Sequence, residues 1–250
     1  MWILEKNFPR KVLYVESLHG NARLQYEKVN PLLEEGKYAA VSSHLISMPS
    51  TTVAGPAPLV ITFLRDPARR LISAYEFQKA TNSLKEGDVN FRAFLTRLRQ
   101  SPVSNYQTRL LSPQNWSMSG PRSGWDLNPR AIDLDRENLF VGTVELFDES
   151  MILLEEWLSA RGISFDASYY IPSNTGAQQG VKRSSISEKT IFPDMIELDR
   201  YLWQEATGRI DSMIRSDKEF QLKLRQFASR REAAASLEVP IAGPDEFIRL

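Results

Sequence analysis

Apolar positions recur along the chain at two periods, and the alternation between them predicts most of the elements. Val60-Ile-Thr-Phe-Leu64 is a short, almost wholly apolar run of the kind that forms a central strand. Arg65 follows it, and then Asp66 and Pro67, a capping residue and a first-position residue for a helix. Upstream, Lys11-Val-Leu-Tyr-Val15 and Tyr38-Ala-Ala-Val41 read as short strands. Between them Asn21 is a cap for a helix over Ala22 to Glu35, with Leu24, Val29, Leu32 and Leu33 on the core side and Gly36 as its stop. Residues 47–58 hold Pro, Ser, Thr and Gly and read as a loop.

Downstream the period becomes helical. Phe91, Phe94, Leu95 and Leu98 share one face, and Asn105 to Leu111 reads as another short helix. Residues 112–130 form a long irregular loop, and loops of that length in compact domains often carry function. Asn138-Leu-Phe-Val-Gly142 is a strand and Glu145 to Leu158 a helix. After a second loop over 166–187, Ser187 and Thr190 are caps for a helix reaching Thr207, whose start Pro193 can displace. Residues 209–235 read as a charged, solvent-facing helix. Strands alternating with helices predict an α/β fold with a central parallel sheet and a helical C-terminal part. A single domain over residues 1–235 is expected, with 236–250 as a loosely held tail.

Composition narrows the chemistry. Lys plus Arg and Asp plus Glu are equal at 31 each, which argues against a face-wide field for nucleic acid. Cysteine is absent, excluding disulfides, thiolate metal sites and cysteine nucleophiles, and two histidines, His19 and His44, exclude a multi-histidine metal site. No apolar run reaches membrane-spanning length. At the junction after Leu64, Arg65 stands beside a helix N-terminus, a combination that attracts phosphate. Ser73 lies about 10 Å further along the helix axis. Arg65 and the Ser73 hydroxyl can grip one phosphate from two sides. The competing reading is plain: strand, Asp-Pro and helix is also an ordinary helix start.

Leu64-Arg-Asp-Pro-Ala-Arg-Arg-Leu-Ile-Ser-Ala-Tyr75 resembles the nucleotide 3′-phosphate motif of sulfotransferases, in particular the carbohydrate branch that includes heparan sulfate 2-O-sulfotransferase. Weaker likenesses follow in the same order over residues 12–205. They are Ser42-Ser-His44, Asn105-Tyr-Gln-Thr-Arg109, Phe140 to Ser150, and Ser185 to Ile191 with Asp199 and Tyr201 beyond. The resemblance implies a P-loop-NTPase-like three-layer sandwich. It also implies sulfuryl transfer from 3′-phosphoadenosine 5′-phosphosulfate (PAPS) to a carbohydrate hydroxyl. Arg65 and Ser73 would hold the 3′-phosphate, Lys182 and Arg183 would close over the nucleotide, and His44 would be the base.

Each of those roles has an ordinary rival. His44 suits a hydrogen-bonded structural histidine, and Lys182 with Arg183 a solvated patch. Arg69 and Arg70 can face the nucleotide or simply form salt bridges. Trp116, Trp125 and Tyr106 can stack on sugar rings or pack their own loops.

One family element has no counterpart: the Pro-Lys-Thr-Gly-Gly-Thr-like loop that holds the 5′-phosphosulfate. Glu16-Ser-Leu-His-Gly-Asn21 is the nearest stretch and has one glycine and no lysine. The family would place its first strand and that loop ahead of Met1. Either the chain is a fragment or carries a misassigned start, or it is a shortened relative that no longer transfers sulfate, and weak binding of PAPS or adenosine 3′,5′-bisphosphate with little turnover is expected. A P-loop kinase needs the same loop and magnesium-binding acids besides. A non-catalytic module for a phosphorylated or sulfated ligand needs neither. A bacterial cytoplasmic location fits better than a Golgi lumen.

Overall fold

A computed structural model describes residues 2–16, 26–43, 46, 58–88, 90–99, 104–112, 127–169, 186–236 and 247–249. The elements run α1 (Trp2–Asn7), β1 (Val12–Glu16), α2 (Tyr26–Glu34), β2 (Ala40–Ser42), β3 (Val60–Leu64), α3 (Pro67–Ala80), α4 (Phe91–Arg99) and α5 (Tyr106–Leu111). They continue with β4 (Leu139–Thr143), α6 (Phe147–Ser159), α7 (Glu197–Ser216), α8 (Phe220–Ala235) and β5 (Phe247–Arg249). The protein is mixed α/β, and every strand pairing described is parallel. No helix among the described residues is long and apolar enough to cross a membrane.

The single central sheet expected from the pattern is two small sheets among the described residues. One has the order β2-β1-β5, the other pairs β3 with β4. In the first, Val12–Tyr14 pair with Ala40–Ser42, and Tyr14–Glu16 pair with Phe247–Arg249 on the opposite edge. The last strand falls in the segment expected as a loose tail. Its backbone hydrogen bonds to β1 supply an order that the nearby prolines gave no reason to expect. Leu13 and Val15 of β1 pack with Val29 of α2 and with Tyr38. Gly36, at φ +69°, ends α2 as predicted.

The β3–β4 pair carries helices on both faces. Side chains alternate sides along a strand, so Phe63 and Phe140 enter a core with Met151, Leu154, Phe220 and Phe227, on α6 and α8. Leu64 and Val141 enter another with Leu111, Leu202 and Ala206, on α5 and α7. Gly142 permits the first of these contacts. A Cβ built there would lie 2.5 Å from the Phe63 ring carbon Cε1 and 3.0 Å from Ser150 Cβ. A third core joins α3 and α4 through Leu71, Tyr75, Phe91, Phe94 and Leu95, closed by Ile191 and Met195.

Three helix expectations change, the first being that the helix expected behind Ser187 or Thr190 is α7, which begins only at Glu197. α6 begins at Phe147 rather than Glu145, since Glu145 is engaged elsewhere, and the charged stretch 209–235 is not one helix. α7 runs on to Ser216 and breaks at Asp217, whose carboxylate accepts the Glu219 N–H at 2.9 Å. α8 is not wholly solvent-facing: Phe220, Phe227 and Ala234, seven residues apart, are buried.

Candidate anion site

The strand-to-helix junction after β3 is built as the sequence predicts. The Asp66 carboxylate caps α3 by accepting the Arg69 N–H at 2.9 Å, with Pro67 in the first turn. β3 ends in a last ladder bond, from Val144 N–H to the Leu64 carbonyl at 2.8 Å. Arg65 is therefore the first residue beyond the sheet.

What holds Arg65 comes from α5. The Gln107 side-chain amide grips its backbone at both ends: Arg65 N–H donates to Gln107 Oε1, and Gln107 Nε2 donates to the Arg65 carbonyl, each at 2.8 Å. The next N–H, of Asp66, donates to Glu145 Oε1 at 3.1 Å, and Glu145 Oε2 accepts the Trp203 indole N–H at 2.9 Å. That is why Glu145 stands outside α6.

Gln107 is fixed by an exchange of caps between α5 and α7. Asn105 precedes α5 in the left-handed region, at φ +48°, and its side chain does not cap α5. Instead Asn105 Oδ1 accepts the Leu198 and Asp199 N–H groups at 3.0 and 3.3 Å, serving the start of α7. Asp199, on α7, returns the service. Its oxygens accept the Thr108 and Gln107 N–H groups of α5 at 2.7 and 3.1 Å. Each helix satisfies the other's orphan donors, so the two start as one unit. Asp199 is fully buried (0 % exposed). Burial pushes its carboxyl above the usual carboxylate range, opposed by the Arg70 guanidinium at 3.9 Å and by the two N–H donors.

Against this frame two groups stay uncommitted. The Arg65 side chain is half-buried, and among the described residues its guanidinium has no hydrogen-bond or salt-bridge partner. The Ser73 hydroxyl, half-buried on α3, likewise makes no hydrogen bond among them. A helical Ser or Thr commonly bonds back one turn, as Thr96 Oγ1 does to the Arg92 carbonyl and Thr207 Oγ1 to that of Trp203. Ser73 does not.

The N-terminus of α3 was expected to add its partial positive charge to Arg65, but two carboxylates, Asp66 and Glu145, already take donors there. The backbone N–H groups of Arg65, Asp66 and Arg69 are therefore already engaged at this junction. Arg69 is exposed, whereas Arg70 lies over the Tyr106 ring, 5.3 Å from its centroid.

His44, Lys182 and Arg183 lie outside the described residues, as do His19, Trp116 and Trp125. Of the predicted site residues the structure describes Arg65, in the junction between β3 and α3, and Ser73, on α3. Gln107, Glu145, Asn105 and Asp199 were not predicted to serve the site, although each lies in a segment that carried the resemblance. No family model, no curated protein and no solved structure matches the chain.

Proposed function

We propose that the junction after β3 is the 3′-phosphate half of a nucleotide site, and that the protein is a PAPS-dependent sulfotransferase-like protein. The observation that carries this reading is the Arg65 guanidinium: half-buried, without a protein acceptor among the described residues, and set on a backbone clamped at both ends by Gln107. A cation held in place without a partner suits an incoming oxyanion, and Ser73 adds an uncommitted donor on the following helix. The helices on both faces of the parallel β3–β4 pair support the three-layer P-loop-like architecture that the reading needs.

In such a protein a carbohydrate hydroxyl oxygen forms a bond to sulfur as the sulfur–oxygen bond to the 5′-phosphate breaks. The electron pair leaves on adenosine 3′,5′-bisphosphate (PAP). His44 is assigned the acceptor's proton, and Lys182 with Arg183 the closure over the nucleotide. A bacterial cytoplasmic setting belongs to the same proposal.

Calorimetric titration of PAP against the protein, Arg65→Ala and His44→Ala tests the assignment. Binding lost in the Arg65 variant and kept in the His44 variant is expected. Equal affinity in all three would overturn it. The second reading, a non-catalytic module for a phosphorylated or sulfated ligand, is favoured by the carboxylates at the α3 N-terminus, which leave Arg65 and Ser73 as the anion-directed groups. Inorganic phosphate binding through Arg65 without preference for PAP would select it.

A further inference from the structure

We infer that the Glu145 carboxylate is a resident anion of the site, which a ligand phosphate displaces from the Asp66 N–H, freeing the Trp203 indole as it does so. The inference deepens the anion-site reading above and rests on it.

Placement is the first support. β3 and β4 are parallel and in register, Leu64 beside Thr143, so Arg65 and Glu145 leave their sheet at the same carboxyl edge. Ligands of open parallel sheets bind along that edge. Glu145 stands between β4 and α6 and belongs to neither element. From there its Oε1 accepts the Asp66 N–H at 3.1 Å, the N–H next in sequence to Arg65. A backbone donor beside a side-chain cation suits a phosphate oxygen, and here a carboxylate of the chain itself already takes it.

Charge is the second support. Asp88, Asp148 and Glu155 are also drawn out of full exposure, and each has a guanidinium partner, on Arg97, Arg231 and Arg230. Glu145 is half-buried and has none among the described residues; its partners are two neutral N–H donors, of Asp66 and Trp203. Arg65 is the converse, a half-buried cation without an acceptor among them. A cation and a carboxylate thus leave one sheet edge and form no ion pair. Because neutral donors alone hold Glu145, it can be exchanged for another oxyanion without stranding a paired cation. A Glu145 that stayed in place would set its charge against the incoming phosphate. Exchange removes that conflict: a phosphate oxygen takes the Asp66 N–H, Arg65 balances the phosphate charge, and the carboxylate turns to solvent. The Trp203 indole N–H then loses its acceptor, now at 2.9 Å, so the indole reports the exchange.

The rival account makes Glu145 a fixed brace between the start of α3 and α7, and two readouts separate the accounts. Protein whose five tryptophans carry a ring fluorine is titrated with PAP and followed by fluorine NMR, with Trp203→Phe assigning the Trp203 resonance. Calorimetry of PAP with the protein, Glu145→Gln and Arg65→Ala runs alongside, with thermal unfolding of each. At saturation the Trp203 resonance is expected to move. That of Trp157, which packs on Phe140 in the opposite core with ring centroids 5.8 Å apart, is expected to stay. Glu145→Gln, close in shape and uncharged, is expected to bind PAP about 5–100-fold more tightly, the effect of removing one like charge from a partly solvated site. The fluorine readout stands even where Glu145→Gln fails to fold. A Trp203 resonance unmoved at saturation, or a Glu145→Gln affinity no higher than the original, with Arg65→Ala still deficient, would overturn the exchange alone. PAP affinity unchanged in Arg65→Ala, or no PAP binding by the unmodified protein and Glu145→Gln alike, would overturn the anion-site reading and this inference with it.

Discussion

Replacing Gln107 by Leu tests whether Arg65 is held as described. The two side chains are close in size, and Gln107 is only 7 % exposed, so the change leaves the packing of α5 nearly intact while deleting the amide. Two bonds of 2.8 Å disappear, leaving the Arg65 N–H and carbonyl without their partners beyond the end of the β3 ladder. A buried polar group stripped of its partner costs about 1–3 kcal/mol, so the pair should cost about 2–6 kcal/mol where water does not reach it. At roughly 2–4 °C per kcal/mol for a chain of this length, the melting temperature should fall by about 4–24 °C. Gln107→Glu keeps the acceptor for the Arg65 N–H but sets a carboxylate against the carbonyl, and should be at least as destabilising. Denaturant unfolding and PAP titration together make the assay. Unfolding free energy within about 0.5 kcal/mol of the original, with unchanged PAP affinity, would refute the clamp, since surface-like substitutions fall in that range.

Two further perturbations probe the fold. Gly142→Ala places a methyl group against Phe63 and Ser150 and should destabilise by about 1–3 kcal/mol, read by chemical unfolding; an unchanged midpoint would mean that Phe63 yields freely. Asp88→Asn should cost about 1–3 kcal/mol near neutral pH by breaking the fork from Arg97, whose bonds run from 2.7 to 3.1 Å. Those bonds are the main reason the Asp88 carboxyl is held below its ordinary range. The stability it contributes is therefore fully present above the unfolded carboxyl pKa and is lost as pH falls through the depressed folded one. The gap between protein and variant should close as pH drops below about 4. A gap that stays constant with pH would contradict the ion pair. Asp199, pushed upward by burial, carries the opposite sign: its contribution is present below the unfolded pKa and lost as pH rises through the raised folded one. Comparison with the Asn variant isolates Asp88 from it.

Local chemistry made the β3–α3 junction legible before the structure. An apolar run, a capping Asp and a first-position Pro are decided within ten residues, and the structure has them as read. The buried positions of α4, Phe91, Phe94, Leu95 and Leu98, were equally legible, because helical spacing alone fixes the face. The partners of the junction were not. Asn105 looks like a cap for the helix that follows it, yet its side-chain Oδ1 serves α7, 93 residues on. Asp199 falls inside the helix read from Ser187 or Thr190 and is the cap of α5. Such exchanges depend on which two helix ends meet in space, and no local pattern encodes that. The misreading of 209–235 has a different cause. Charged residues dominate that stretch and hide one apolar position every two turns, enough to bury Phe220 and Phe227 beneath α6.

The central claim, a 3′-phosphate held by Arg65, is tested most directly by phosphorus NMR of PAP, whose two phosphate groups give separate resonances. The account predicts that adding the protein shifts the 3′-phosphorus resonance more than the 5′ one, and that Arg65→Ala, with its fold intact, abolishes that shift. A shift confined to the 5′-phosphorus, or a 3′ shift that survives in Arg65→Ala, would contradict it.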